Sequence, residues 1–253
     1  MNLPRFYCRE PLASGASVDL PPPVARHATR VLRLPPGAAM ILFDGRGGEY
    51  LAHIERIERD RVLARLADWR DIERESPLAV TLVQALQAGE KMDFTIQKAV
   101  ELGVRDIAPV TSRRSVLRLS GERAGKRVAH WQGVAAAACE QCGRNQVPLV
   151  APLEKLENWL ARPAAGALRL MLSPEAEQTL ADVSQVSQKA DKIHLLIGAE
   201  GGLDPEEIIA ARQAGFQAVR LGPRVLRTET AGLAALTALQ LLWGDLTKEA
   251  ADV

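Results

Sequence analysis

Leu195-Leu196-Ile197-Gly198-Ala199-Glu200-Gly201-Gly202, followed by Leu221-Gly222-Pro223-Arg224-Val225-Leu226-Arg227-Thr228-Glu229-Thr230-Ala231, decides how this chain folds. Each stretch reads as a short apolar strand that runs into a glycine turn and then a helix. Two such strand ends side by side make one pocket lined by main chain. In open α/β sheets, ligands sit just beyond the carboxyl ends of strands, where N–H and C=O groups are not yet used by a ladder. Gly198, Gly201, Gly202 and Gly222 carry no Cβ, so a ligand can approach the backbone closely.

Outward from these turns the chain alternates. Strands are expected over 79–86, 106–110, 168–172, 193–197 and 218–221, with helices over 90–102, 122–142, 204–214 and 228–243. That order is the signature of a mostly parallel sheet covered by helices, an α/β domain. Asp204-Pro205-Glu206-Glu207 supplies an N-cap side chain, a proline at N1 and a carboxylate at N3, so one helix start is specified. After Gly89, the apolar stripe Met92, Ile96, Ala99 and Val100 leaves Asp93, Gln97 and Glu101 on a line that reads as solvated. In the last helix Leu233, Leu236 and Leu239 share a side with small alanines, which suits a core or dimer helix.

The first seventy residues differ. Short strands over 5–8, 18–20, 40–43, 49–57 and 61–69, with Asp44-Gly45 and Gly47-Gly48 as a hairpin turn, suggest a small β-barrel. One proline-started helix over 21–33 would put Arg26, Arg30 and Arg33 on a single face able to grip phosphates. A polar stretch over 68–76, closed by Pro77, marks the change of period, so the expected domains are 1–70 and 71–253.

Composition narrows the function. With 47% hydrophobic and 25% charged residues, the chain matches ordinary globular proteins rather than disordered ones. It has no apolar run approaching the roughly 18 residues of a membrane span. Its opening residues carry charge and proline where a signal peptide needs an apolar run, so a cytoplasmic chain is expected. Residues 1–144 hold 22 Lys and Arg against 17 Asp and Glu, whereas residues 145–253 hold 10 against 14, which places the basic surface in the first part. Arginine outnumbers lysine 25 to 7; this favours phosphate contacts and base stacking, although a GC-rich genome gives the same bias. Cys139 and Cys142 form a C-x-x-C that ends a helix instead of opening one, and two local thiols are short of a zinc site, so no metal is expected.

Neither G-x-x-x-x-G-K-[ST] nor a G-x-G-x-x-G opening a βαβ unit is present, which disfavours ATP and NAD. Two glycine turns followed by Leu221, Val225, Leu226 and Ala231 suit a flat adenine and a methionine-like tail, as in S-adenosylmethionine. On spacing alone, turns that merely join strands to helices remain the alternative.

Taken together, the two strings resemble the family of ribosomal RNA small subunit methyltransferase E in the SPOUT superfamily. Further landmarks follow in order, among them Arg5-Phe6-Tyr7, Phe43-Asp44-Gly45, Lys91-Met92-Asp93, 97–103, 112–115, Trp131, 140–144 and Pro148. The resemblance implies a PUA-like barrel, then a SPOUT methyltransferase domain with a C-terminal trefoil knot. It also implies a homodimer through the last helix and N3 methylation of one uridine in 16S ribosomal RNA. The cofactor residues it implies are Leu172, Gly198, Glu200, Gly201, Gly202, Leu221, Gly222, Val225, Leu226, Thr230 and Ala231. Ala199 departs from the proline expected there, and 171–174 falls where the family varies.

Uracil N3 carries a proton in the neutral base, so that proton must leave before or during transfer. Arg227, Glu229 and Glu200 are the polar side chains nearest the expected methyl: Arg227 to stabilise the developing uridinate, and a carboxylate or water to take the proton. Alternatively, Arg227 and Glu229 pair with each other and hold the knot. Arg5, Arg26, Arg30, Arg33, Arg113 and Arg114 are the expected RNA contacts, either on 16S ribosomal RNA or on the small subunit, with Phe6 or Tyr7 for stacking. The rival readings are a non-catalytic RNA-binding protein of the same fold, a methyltransferase acting on another RNA, and an NAD- or ATP-using enzyme that lacks the usual phosphate loop.

Overall fold

The computed structural model describes residues 3–59, 61–164, 166–186 and 190–247. Within them the chain forms two compact units, one of residues up to 75 together with 139–147, the other of 76–138 together with 148 onward.

In the first unit five strands, β1 (Arg5–Tyr7), β2 (Ser17–Asp19), β3 (Ala39–Phe43), β4 (Glu49–Glu58) and β5 (Arg61–Arg70), form one sheet in the order β1-β3-β4-β5-β2. Only β1 and β3 run parallel. Alternate residues Met40 and Leu42, Ala52 and Ile54, and Val62, Ala64 and Leu66 point into one core, as a period of two requires. Register shifts at Tyr50/Ala52 and Ile54/Arg56 bend the long β4–β5 ribbon.

The helix expected over 21–33 is not continuous. Helix α1 (Pro22–Arg26) widens into a π-turn over His27–Val31, where Leu32 N–H reaches His27 O at 3.0 Å and Leu34 N–H reaches Ala28 O at 2.9 Å. The wider turn keeps Ala25 and Ala28 buried against the barrel, and Pro35-Pro36 forbids further helix. Arg33 consequently leaves the axis with φ 54°, so Arg26, Arg30 and Arg33 do not share a helix face, although all three are exposed.

Residues 139–147 complete this unit. Arg144 pairs with Glu75, while Asn145 Nδ2 donates to Ile72 O at 2.6 Å and to Glu49 at 3.3 Å. Glu140 accepts Tyr7 N–H at 2.8 Å, and burial pushes its carboxyl above the ordinary range despite that bond.

The second unit is a parallel sheet of β6 (Ala79–Ala85), β7 (Asp106–Thr111), β8 (Leu149–Val150), β9 (Glu154–Lys155), β10 (Leu168–Leu172), β11 (Lys192–Ile197) and β12 (Gln217–Val219). The order is β12-β10-β11-β6-β7-β8, with β9 also on β7. Its helices are α2 (Lys91–Glu101), α3 (Gly121–Cys142), α4 (Leu156–Leu160), α5 (Leu180–Val186), α6 (Pro205–Gln213) and α7 (Thr228–Trp243). Leu196, Val83 and Met171 pack with Trp159 of α4 and Ala211 of α6 on one face, while Leu82, Gln84 and Ile197 meet Gly232 of α7 on the other. Burial on both faces explains the unbroken apolar runs. Helix α6 starts as its sequence specifies: Asp204 accepts from Glu206 N–H, and Glu207 accepts from Asp204 N–H at 2.9 Å.

Strands β11 and β12 are not neighbours, contrary to the side-by-side expectation. β10 lies between them, since its Leu170 and Met171 are fully buried, whereas the three-residue β12 with exposed Gln217 suits an edge. No helix among the described residues is long and apolar enough to cross a membrane.

Candidate functional site

The carboxyl ends of β10, β11 and β12 open into one cavity of about 680 Å³, inside the range of about 300–1,000 Å³ usual for small-molecule sites. Three connections wall it: Ser173-Pro174-Glu175 after β10, 198–203 after β11 and 220–228 after β12. Leu172, Gly198, Glu200, Gly201, Gly202, Leu221, Gly222, Val225, Leu226 and Ala231 all line it. Thr230 does not; it sits on the exposed side of α7, where Thr228 and Ala231 take the positions that face the cavity.

The first turn is tight enough to demand its glycines. A Cβ on Gly198 would lie 2.9 Å from Gly202 C and 3.0 Å from Leu203 N, both backbone atoms. Gly202 N–H closes the turn on Ala199 O at 2.8 Å with φ 71°. Behind it Thr228 Oγ1 donates to Gly198 O at 2.6 Å and accepts from Gln84 Nε2 at 3.2 Å and Gln87 Nε2 at 3.4 Å. Thr95 completes this buried cluster by donating to Gln87 Oε1 at 2.9 Å. Gln84 and Gln87 break the apolar run 82–88, the sequence signal from which the cluster could have been read.

The rim is charged. Glu200 Oε1 accepts Ala88 N–H at 2.9 Å and lies 3.5 Å from Lys91 Nζ, which in turn lies 3.8 Å from Glu229 Oε2. Burial raises the Glu200 carboxyl, but the N–H groups of Ala88 and of Glu200 itself, together with the Lys91 ammonium, outweigh it and hold the group below the usual carboxylate range. Glu229 Oε2 is buried with no hydrogen-bond partner among the described residues. Arg227, at the N-cap of α7, is exposed and does not pair with Glu229. Lys91 stands where that pairing was the structural alternative. Its role was invisible in the sequence, since only folding brings the first turn of α2 to the two glutamates.

Residues 74–240 match a family model described as an RNA methyltransferase domain, and residues 20–67 match an RNA methyltransferase PUA domain. Ribosomal RNA small subunit methyltransferase E of Buchnera aphidicola subsp. Schizaphis graminum is 33% identical over 97% of this chain and 99% of its own. The chain belongs to the ribosomal RNA small subunit methyltransferase E family. The Neisseria gonorrhoeae member of that family, solved bound to S-adenosyl methionine, superposes with a TM-score of 0.89 at 43% identity, covering 97% of this chain and 100% of that one. A Legionella pneumophila protein solved with the bound cofactor SAM gives 0.92 at 37% identity over the same shares.

For a methyltransferase E chain the nucleic-acid contacts matter next, and several expected ones are engaged within the protein. Phe6 is 1% exposed, edge-on to His27 at 5.6 Å, and therefore a core residue rather than a stacking surface. Arg5 is spent on Glu49 and Asn145 and lies 5.1 Å over the Phe43 ring. Tyr7 is half-buried and tilted on Phe43. Arg113 pairs with Glu206 and approaches Asp204 at 3.5 Å, and its N–H donates to Glu207 at 2.8 Å, so it braces the start of α6. Arg114 donates to Gly201 O at 3.0 Å and lines the cavity. Trp69 is 47% exposed, with its indole lying on Gly48. Asp93 is likewise not merely solvated, because Trp131 Nε1 donates to it at 3.0 Å and His130 meets it at 2.6 Å. Burial pushes the Cys139 thiol up to about 12, and no metal-ligand cluster occurs among the described residues.

Proposed function

We propose that this chain transfers a methyl group from S-adenosylmethionine to N3 of one uridine in 16S ribosomal RNA, acting in the cytoplasm as a homodimer. The observation that carries this is a cavity of about 680 Å³ at three parallel strand ends, with an exposed arginine and a carboxylate oxygen that lacks a hydrogen-bond donor on its rim. The residues fit the cofactor: Gly198 has no room for a Cβ against the backbone of Gly202 and Leu203, and Leu221, Val225, Leu226 and Ala231 offer apolar lining. When bound, the cofactor supplies an electrophilic methyl on a positively charged sulfur. The 198–203 and 220–228 connections orient it, and alignment of this kind is worth about 7–11 kcal/mol in favourable cases. Arg227 stabilises negative charge developing on uracil O2 or O4. A carboxylate of the Glu200–Glu229 pair, or water, takes the N3 proton.

Exposed Arg26, Arg30 and Arg33 suit phosphate contacts. For the knot, the support is that β12 lies at the sheet edge while α7 packs on central β11 and β6, so 220–227 must pass back across the sheet end. Exposed Leu241 and Leu242 at the end of α7, with Leu246 just beyond it, support self-association.

The test is methyl transfer to small subunits and to naked 16S RNA, followed by nucleoside analysis. The expected product is 3-methyluridine at one position. Arg227→Ala should bind cofactor normally and lose methylation; near-normal turnover refutes the role of Arg227, and absence of cofactor binding by the wild type refutes the whole reading.

A further inference from the structure

The two rim glutamates are held differently, and the difference divides their labour. Both oxygens of interest face the same Lys91 ammonium, Glu200 Oε1 at 3.5 Å and Glu229 Oε2 at 3.8 Å. Glu200 is also fixed by Ala88 N–H, whereas Glu229 Oε2 has no donor within hydrogen-bond reach among the described residues. Leaving a buried carboxylate oxygen without a donor is costly, and such orphans call for an explanation such as a catalytic task. Here the missing donor is the substrate.

Building on the function proposed above, we propose that Glu229 Oε2 receives the uridine N3 proton, and that Lys91 is a positioning residue which Glu200 holds back from quenching that oxygen. In the step, the N3–H bond breaks and its proton goes to Glu229 Oε2. The N3 electron pair forms the bond to the methyl carbon, and the C–S pair returns to sulfur, leaving a neutral thioether. Before transfer one ammonium faces two carboxylates; afterwards Glu229 is a neutral acid and Lys91 is balanced by Glu200. With the sulfonium counted, these groups sum to zero before and after, and the transfer turns one sulfonium and one carboxylate into two neutral groups while the Lys91–Glu200 pair stays intact. Lys91 is the first residue of α2, beside the turn after β11 and the first turn of α7.

The experiment is single-turnover methyl transfer to small ribosomal subunits with saturating S-adenosylmethionine, beside calorimetric cofactor affinity for every variant. Glu229→Gln should bind cofactor within about twofold of wild type and transfer roughly 10²–10⁴ times more slowly, the usual worth of a positioned base. Glu229→Ala should regain part of its rate with added formate, which a purely structural glutamate would not. Lys91→Met should lower the rate constant without changing cofactor affinity, and Lys91→Arg should restore most of it. Wild-type rate in Glu229→Gln, or no formate rescue in a Glu229→Ala protein that still binds cofactor, overturns the assignment of the base. Equal rates for Lys91→Met and wild type overturn the role of Lys91. If the wild type itself methylates no ribosomal RNA, the underlying function fails instead, a result distinct from the others.

Discussion

Thr228→Val tests whether the glycine turn is held from behind. Valine fills the same volume at a site 7% exposed, so the change is polar rather than a cavity. Gly198 O loses its donor at 2.6 Å, and Gln87 Nε2 loses an acceptor at a longer 3.4 Å, while Gln84 Nε2 keeps Ala85 O at 3.1 Å. Each buried group left without a partner costs roughly 1–3 kcal/mol, with the long Gln87 bond at the low end, so the expected loss is about 2–4 kcal/mol. That is a large share of the 5–15 kcal/mol, roughly, that holds a domain together. The loss should appear as a lower urea midpoint at unchanged slope. Calorimetry should show weaker binding of S-adenosylmethionine, because the released carbonyl belongs to the cavity wall. Thr228→Ser, which keeps the hydroxyl, should recover most of both. A valine variant within about 0.5 kcal/mol of wild type with unaltered cofactor affinity would refute the bracing, since that is the usual range for a surface substitution touching nothing.

Phe6→Ala should destabilise the protein by about 3–5 kcal/mol, as deletion of a buried phenyl ring does, and leave RNA affinity of the folded fraction unchanged; a loss of RNA binding at full stability would put the ring back on the surface. Burial, with Arg169 and Lys192 adding to it, pushes His194 down to about 4 from its ordinary 6.5. The unfolded chain therefore binds a proton that the folded one refuses, so the contribution is complete above about pH 6.5 and declines as pH falls toward 4. His194→Gln should flatten this part of the stability profile in urea titrations, and an identical profile counts against it. Arg30→Ala should lower the salt dependence of RNA binding by about 0.7–0.9 in log–log slope. An unchanged slope means that Arg30 touches no phosphate.

Long patterns and short apolar runs bounded by turn residues both carried the fold. The apolar run of β6, the stripe of α2 and the alanine-rich last helix are legible because local period and burial agree. Two-residue β8 and β9, and the five-residue α4, have no period to read. The place of β10 between β11 and β12 depends on pairings distant in sequence, so the two glycine turns gave the cavity without giving its third wall. Phe6 shows the limit within a strand: in β1 the side chains alternate, and three residues do not say which face is inward. Lys91 shows the limit for a site, since its meaning lies in two glutamates 109 and 138 positions away.

The nine residues 139–147 that return to the first unit also set when that unit can finish folding during synthesis. Glu49 and Arg5 wait for Asn145, and Glu75 waits for Arg144. Between the emergence of residue 75 and that of residue 147 a ribosome adding 5–20 residues per second needs about 4–14 s. Throughout that interval the nascent barrel holds acidic side chains whose amide and guanidinium partners do not yet exist. A fragment ended at residue 75 keeps this handicap permanently, so the barrel should be expressed with its late-arriving strap fused back on, not as a simple N-terminal piece.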